Sequence, residues 1–94
     1  MIRLNVFVRV NETNREKAIE AAKELTACSL KEEGCIAYDT FESSTRRDVF
    51  MICETWQNAE VLAAHEKTAH FAQYVGIIPV SYTHLRAHET DQYL

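Results

Sequence analysis

Between Ile2 and Val10 apolar and polar positions alternate without a break. Ile2, Leu4, Val6, Val8 and Val10 share one face, and Arg3, Asn5, Phe7 and Arg9 share the other. Period two with β-branched enrichment predicts a strand whose second face is polar but for Phe7. The period then becomes helical. Thr13-Asn14-Arg15-Glu16 reads as a capping box, followed by Ile19, Ala22, Leu25 and Ser29 at three-to-four spacing, with Ala18 and Cys28 beside them. Gly34, able to take positive φ, is expected to end this helix. Residues 35–42 and 48–56 predict two further strands, and the polar link Ser-Ser-Thr-Arg-Arg between them implies an antiparallel hairpin. Asn58 can cap a second helix, which Thr68 can restart and Gly76 can stop. The order β-α-β-β-α is one strand short of the split βαβ arrangement of ferredoxin-like α+β domains.

The closing strand should follow Pro79, but Val80 to Leu94 has neither alternation nor a helical stripe. Val80 to Thr90 resemble one reading frame of a transposon-insertion sequencing-library adapter. Residues 1–79 are therefore expected to form the domain and residues 80–94 a non-native tail, with the final strand missing or replaced. On that reading His84 and His88 of the tail carry no chemistry.

Ninety-four residues bound the answer to one small domain, which buries roughly two-thirds of its unfolded surface. Two Gly and one Pro leave little material for loops. Net charge is −4, and no basic cluster exceeds Arg46-Arg47, so neither nucleic acid nor an anionic membrane surface is expected as a partner. No apolar run approaches a membrane span. Three cysteines, Cys28, Cys35 and Cys53, with no C-x-x-C pair, suit a reducing cytoplasm.

The polar and aromatic candidates left are Asn5, Tyr38, Glu54, Trp56, His65, His70, Phe71 and Tyr74. Glu54 shares a strand face with Phe50, Ile52 and Trp56, as a salt-bridged carboxylate or a pocket acid/base. Trp56 is core or pocket wall. His65 is a structural histidine or a proton-handling one. His65 and His70 point roughly 140° apart on one straight helix, so they would share a metal only if the helix broke between them. No Cys, Asp or Glu stands at a recognisable third-ligand spacing, and no metal is expected. Cys53, mid-strand, reads as an inert thiol.

The segment Glu54 to Phe71, E-T-W-Q-N-A-E-V-L-A-A-H-E-K-T-A-H-F, resembles the signature of the antibiotic biosynthesis monooxygenase family: E-x-W, a polar pair, a short helix with A-x-x-x-H, then H-F. Upstream, E-E-G-C-I-A-Y-D from Glu32 to Asp39 is similar to the stretch that introduces that family's second strand. The resemblance implies a ferredoxin-like protomer pairing sheet to sheet into a homodimeric α+β barrel, with a cleft between sheet and helices. It also implies oxidation of a small electron-rich aromatic or quinol by O2 without metal, flavin or other cofactor. The protein would remove a proton and the substrate anion would reduce O2 directly. Carried onto this chain, His65 would be the base or the partner of the substrate anion, Trp56 the pocket wall, Asn5 and Tyr74 positioning donors, and Glu54 a group orienting a neighbour. His70, Phe71 and Tyr38 would complete the substrate contacts.

Two relatives pull elsewhere. The haem-degrading branch ligates haem with a His near the end of the second helix, where this chain has Tyr74. The phospho-autoinducer isomerase branch carries a stretch similar to A-A-H-E-K-T-A-H-F, which would make the chain an isomerase of a phosphorylated small carbonyl compound. Only Lys31, Arg46, Arg47 and Lys67 could serve its phosphate. A non-catalytic small-ligand-binding domain on the same barrel is the remaining alternative.

Overall fold

A computed structural model describes residues 1–77 and, as a strand, residues 85–89. The order is β1 (Ile2–Arg9), α1 (Arg15–Ser29), β2 (Cys35–Glu42), β3 (Val49–Trp56), α2 (Ala59–His65), α3 (Ala69–Val75) and β4 (Leu85–Glu89). The sheet order is β2-β3-β1-β4, and all three pairings are antiparallel. β3 thus lies between β1 and β2, which run parallel and are joined through α1. This is the split βαβ unit that the hydrophobic pattern implies. The place beside β1 is taken by β4, with Ile2 opposite Glu89 and Val6 opposite Leu85. That strand comes from the stretch expected to lack alternation, so the place of the closing strand beside β1 is filled. The rest of the tail lies outside the described residues.

Alternation decides which side of the sheet is covered. Leu4, Val6 and Val8 of β1, Tyr38 of β2, and Phe50, Ile52 and Trp56 of β3 face the helices and are buried. α1 meets them with Ala18, Ile19, Ala21, Ala22, Leu25 and Ser29, the stripe its spacing predicts with Ala21 added and with Cys28 only half-buried. Arg3, Asn5, Phe7 and Arg9 point to the other face of the sheet. No helix among the described residues is long and apolar enough to cross a membrane.

Two boundaries of α1 differ from expectation. The capping box at Thr13 does not form; the cap residue is Asn14, and its side chain makes no bond into the helix. Asn11 and Asn14 instead accept each other's backbone N–H, at 2.9 and 3.0 Å. The asparagine side chains are thereby committed to the preceding turn. At the other end the helix stops at Ser29, five residues before Gly34. The intervening backbone runs through successive turns, Lys31 N to Cys28 O, Glu32 N to Ser29 O and Cys35 N to Glu32 O.

Gly34 does take positive φ, at +85°, but as the pivot into β2. A Cβ there would lie 2.6 Å from Val61 Cγ1, so only glycine lets this turn press against α2. Its carbonyl accepts the Gln57 N–H at 2.8 Å, tying the turn to the end of β3. The effect is to hold Glu32 beneath the C-terminal end of α2.

Candidate active site

Thr68 divides the second helical stretch in two. Its hydroxyl donates to His65 O at 2.7 Å and accepts the Phe71 N–H at 3.2 Å, closing α2 and capping α3 with one side chain. Asn58 caps α2 in the same way, its Oδ1 accepting the Val61 N–H at 3.0 Å. The bend redirects His70, which a straight helix would aim away from His65. The ring centroids of the two histidines are 6.1 Å apart.

Between them stands Glu32, held by the turn after α1. Its Oε2 lies 2.7 Å from His65 Nδ1 and 2.6 Å from His70 Nε2, so two imidazole N–H groups donate to one carboxylate oxygen. Glu32 was invisible to spacing arguments because it lies 33 residues before His65 in the chain. Only the glycine pivot and the helix break bring the three together.

His65 is 1% exposed and sits among aromatic rings. Its centroid is 4.5 Å from Trp56, 5.1 Å from Phe71 and 5.8 Å from Tyr38. With Nδ1 on Glu32, the opposite edge of the ring presents Nε2, which is buried and has no hydrogen-bond partner. A carboxylate that accepts from Nδ1 fixes the proton there and leaves Nε2 with its lone pair. The ring lines a cavity of about 350 Å³ between the sheet and all three helices. Leu4, Val6, Val8, Leu25, Ile52 and Val75 make most of its wall, joined by Phe71, Tyr38, Glu54, His65 and Glu66. A largely apolar cavity with a few convergent polar groups is the usual form of a small-molecule site.

Glu54 is the second proton-handling group. Burial against the core pushes its carboxyl up to about 7, with smaller upward contributions from Glu66 and Glu32. Hydrogen bonds from Trp56 and Tyr38 oppose that rise without cancelling it. Trp56 Nε1–H donates to Glu54 Oε1 at 2.9 Å, a bond made possible because residues two apart on a strand share a face. Near neutral pH this carboxyl is close to evenly divided between acid and base, which suits proton transfer.

Of the eight candidates, five come together: Tyr38, Glu54, His65 and Phe71 line the cavity, and Trp56 packs behind His65 while bonding Glu54. His70 joins through Glu32, with its side chain 24% exposed. Tyr74 is partly buried and packs against the core without lining the cavity. Asn5 lies on the opposite face of β1, opposite Cys53 of β3, and is not brought to this cavity. None of the described residues lining the cavity is Lys or Arg, while Glu54 and Glu66 are acidic, an unfavourable electrostatic setting for a phosphate. Neither Cys35 nor Cys53 offers a ready nucleophile. Burial raises Cys53, and burial together with Glu32 and Glu54 raises Cys35 to about 11, so both stay protonated.

Residues 1–76 match the family model described as antibiotic biosynthesis monooxygenase. A Bacillus subtilis (strain 168) protein named "Putative monooxygenase YcnE" is 33% identical over 75 residues, covering 80% of this chain and 79% of that protein. Among solved structures, a conserved protein of unknown function from Bacteroides thetaiotaomicron VPI-5482, described as a possible oxidoreductase, is 88% identical. It superposes with a TM-score of 0.82 over 93% of this chain and 89% of its own. A "putative antibiotic biosynthesis monooxygenase" from Deinococcus radiodurans is only 15% identical but reaches a TM-score of 0.88, over 100% of this chain and 96% of its own. That second likeness concerns the fold alone.

Proposed function

The chain belongs to the antibiotic biosynthesis monooxygenase family, and from that premise we propose that it oxidises a small electron-rich phenol or hydroquinone with O2, unaided by metal or flavin. The observation that carries the reading is His65: a buried ring beside an apolar cavity, with Nδ1 against Glu32 and Nε2 left without a hydrogen-bond partner. A phenol hydroxyl placed against Nε2 would give up its proton to it. The resulting phenolate is electron-rich at its ring carbons and reduces O2, forming a carbon–oxygen bond and a hydroperoxide. Loss of water from the hydroperoxide leaves a carbonyl at that carbon. One oxygen atom ends in the product and the other in water, and the substrate supplies all four electrons. No external reductant is needed.

The surroundings support each stage. The apolar wall of Leu4, Val6, Val8 and Ile52 excludes water that would compete for the proton and the hydroperoxide. Glu54, poised near 7, can return a proton to the departing oxygen. Tyr38 and Phe71 offer ring surfaces to an aromatic substrate.

We further read the outer face of the sheet as the site of pairing into a homodimer. Phe7 and Phe41 lie on either side of Met51, each in direct register with it, and form an apolar row across β1, β3 and β2. Phe7 is 38% and Phe41 51% exposed, large apolar surface to leave in water. Asn5 shares this face and would meet the second protomer. The unpaired thiols Cys28, Cys35 and Cys53 fit the cytoplasm as its compartment.

The test is oxygen uptake with anthrone or a naphthohydroquinone, measured above the protein-free rate. Uptake with one carbonyl formed per O2 supports the reading. An uncatalysed rate with a folded, dimeric protein leaves a binding domain in its place.

A further inference from the structure

We propose that Glu32, His65 and His70 form a binding site for a divalent transition cation of the zinc class. One donor atom from each of the three residues lies within 4.8 Å of the others. Two imidazole nitrogens and one carboxylate oxygen are the donor set that zinc-like ions select, whereas calcium and magnesium take oxygen ligands. The three come from separate places in the chain: the turn after α1, the end of α2 and the start of α3. His65 anchors the site from the core. The side chains of Glu32 and His70 are 15% and 24% exposed, so an ion can enter from the surface between them.

The hydrogen-bonded and the metal-bound arrangements compete for the same atoms. Around a tetrahedral ion with bonds of about 2.0–2.2 Å, neighbouring donors stand roughly 3.3 Å apart. The present separations of 2.7 and 2.6 Å must therefore open by more than half an ångström. Glu32 sits in a turn and is partly exposed, so its carboxylate can withdraw by that amount without moving the core. A water molecule would fill the remaining position.

Occupancy would also change what His65 shows to the cavity. With Glu32 as partner, the ring proton is on Nδ1 and Nε2 has a lone pair. A cation on Nδ1 sends the proton to Nε2, which then donates instead of accepting. This consequence rests on the oxidation reading above, in which Nε2 is the base, and it makes the cation an off-switch. The site itself does not depend on that reading.

Titration of the whole chain with Co2+ and Zn2+ against a chromophoric chelator tests the site without any turnover. We expect one equivalent of Co2+ with visible bands of tetrahedral nitrogen–oxygen coordination and no near-ultraviolet sulfur band. Affinity should fall at least tenfold in Glu32→Gln and in His70→Ala, two partly exposed positions whose variants are checked for folding by circular dichroism. Exchange of His84 and His88 for alanine should leave it unchanged. On adding Zn2+, the Nε2 nitrogen resonance of His65 should move from the position of an unprotonated to that of a protonated ring nitrogen. Absence of binding at 0.1 mM cation (about the weakest affinity of interest), a sulfur band, binding that survives His70→Ala, or binding lost with His84 and His88 overturns the proposal.

Discussion

Replacing Glu54 with glutamine should abolish a pH dependence of stability that one buried carboxyl creates. In the folded chain this group titrates at about 7, against 4.5 for the unperturbed carboxyl, chiefly because burial disfavours its charged form. At about 1.4 kcal/mol per pH unit, that displacement corresponds to about 3 kcal/mol. The sign follows from proton binding: between pH 4.5 and 7 the folded state holds the proton more tightly than the unfolded one. Stability from this group is therefore full below pH 4.5, falls as pH rises, and is gone above about 7. Glutamine keeps the shape and a carbonyl that can still accept the Trp56 Nε1–H, but has nothing to ionise. Urea unfolding of both proteins from pH 4 to 9, at one protein concentration and with chelator present, reads the difference. The variant should match wild type near pH 4.5 and exceed it by about 3 kcal/mol at pH 8.5. In a domain this size that is a melting-temperature gain on the order of 10 °C. Parallel profiles for the two proteins across the range would refute the assignment of Glu54 as a buried, proton-retaining acid.

Gly34→Ala should lower stability by about 2 kcal/mol or more, from the positive φ and the clash with Val61; Val61→Ala in the same chain should recover part of it, as thermal melts will show. Trp56→Phe removes a hydrogen bond that lowers the Glu54 pKa, so the carboxylic C=O stretch should persist to higher pH than in wild type; a downward shift contradicts the geometry. Met51→Glu places a charge in the middle of the Phe7–Phe41 row and should convert a dimer to a monomer in analytical ultracentrifugation, while a dimer that persists puts the interface elsewhere.

Strand periods, the hairpin, and both short-helix caps are legible in the chain because each is a local matter of alternation or of one polar side chain before a helix. Residues 35–42 form β2 as read, and Asn58 and Thr68 cap where expected. The start of α1 is misread because Asn11 and Asn14 offer a competing local pairing that no capping pattern encodes. His65, Trp56 and Glu54 are recoverable from a strand face and a family-like motif. Glu32 is not, since its role depends on a turn packed against α2 through the missing Cβ of Gly34. Asn5 illustrates the converse: its strand was evident, but the side of the sheet on which the cavity opens is fixed by where the helices pack. The same helix packing turns Leu4, Val6 and Val8 into cavity wall.

The claim that His65 Nε2 is the base in an oxygen-consuming site is tested most directly by one comparison. Oxygen uptake with anthrone should be followed for wild type and His65→Gln in metal-free buffer, with circular dichroism to show that the variant folds. Removal of a general base costs about 10²–10⁴-fold, so uptake by the variant should fall to within a few per cent of the wild-type increment or below. A folded His65→Gln protein that consumes oxygen as fast as wild type would contradict the account.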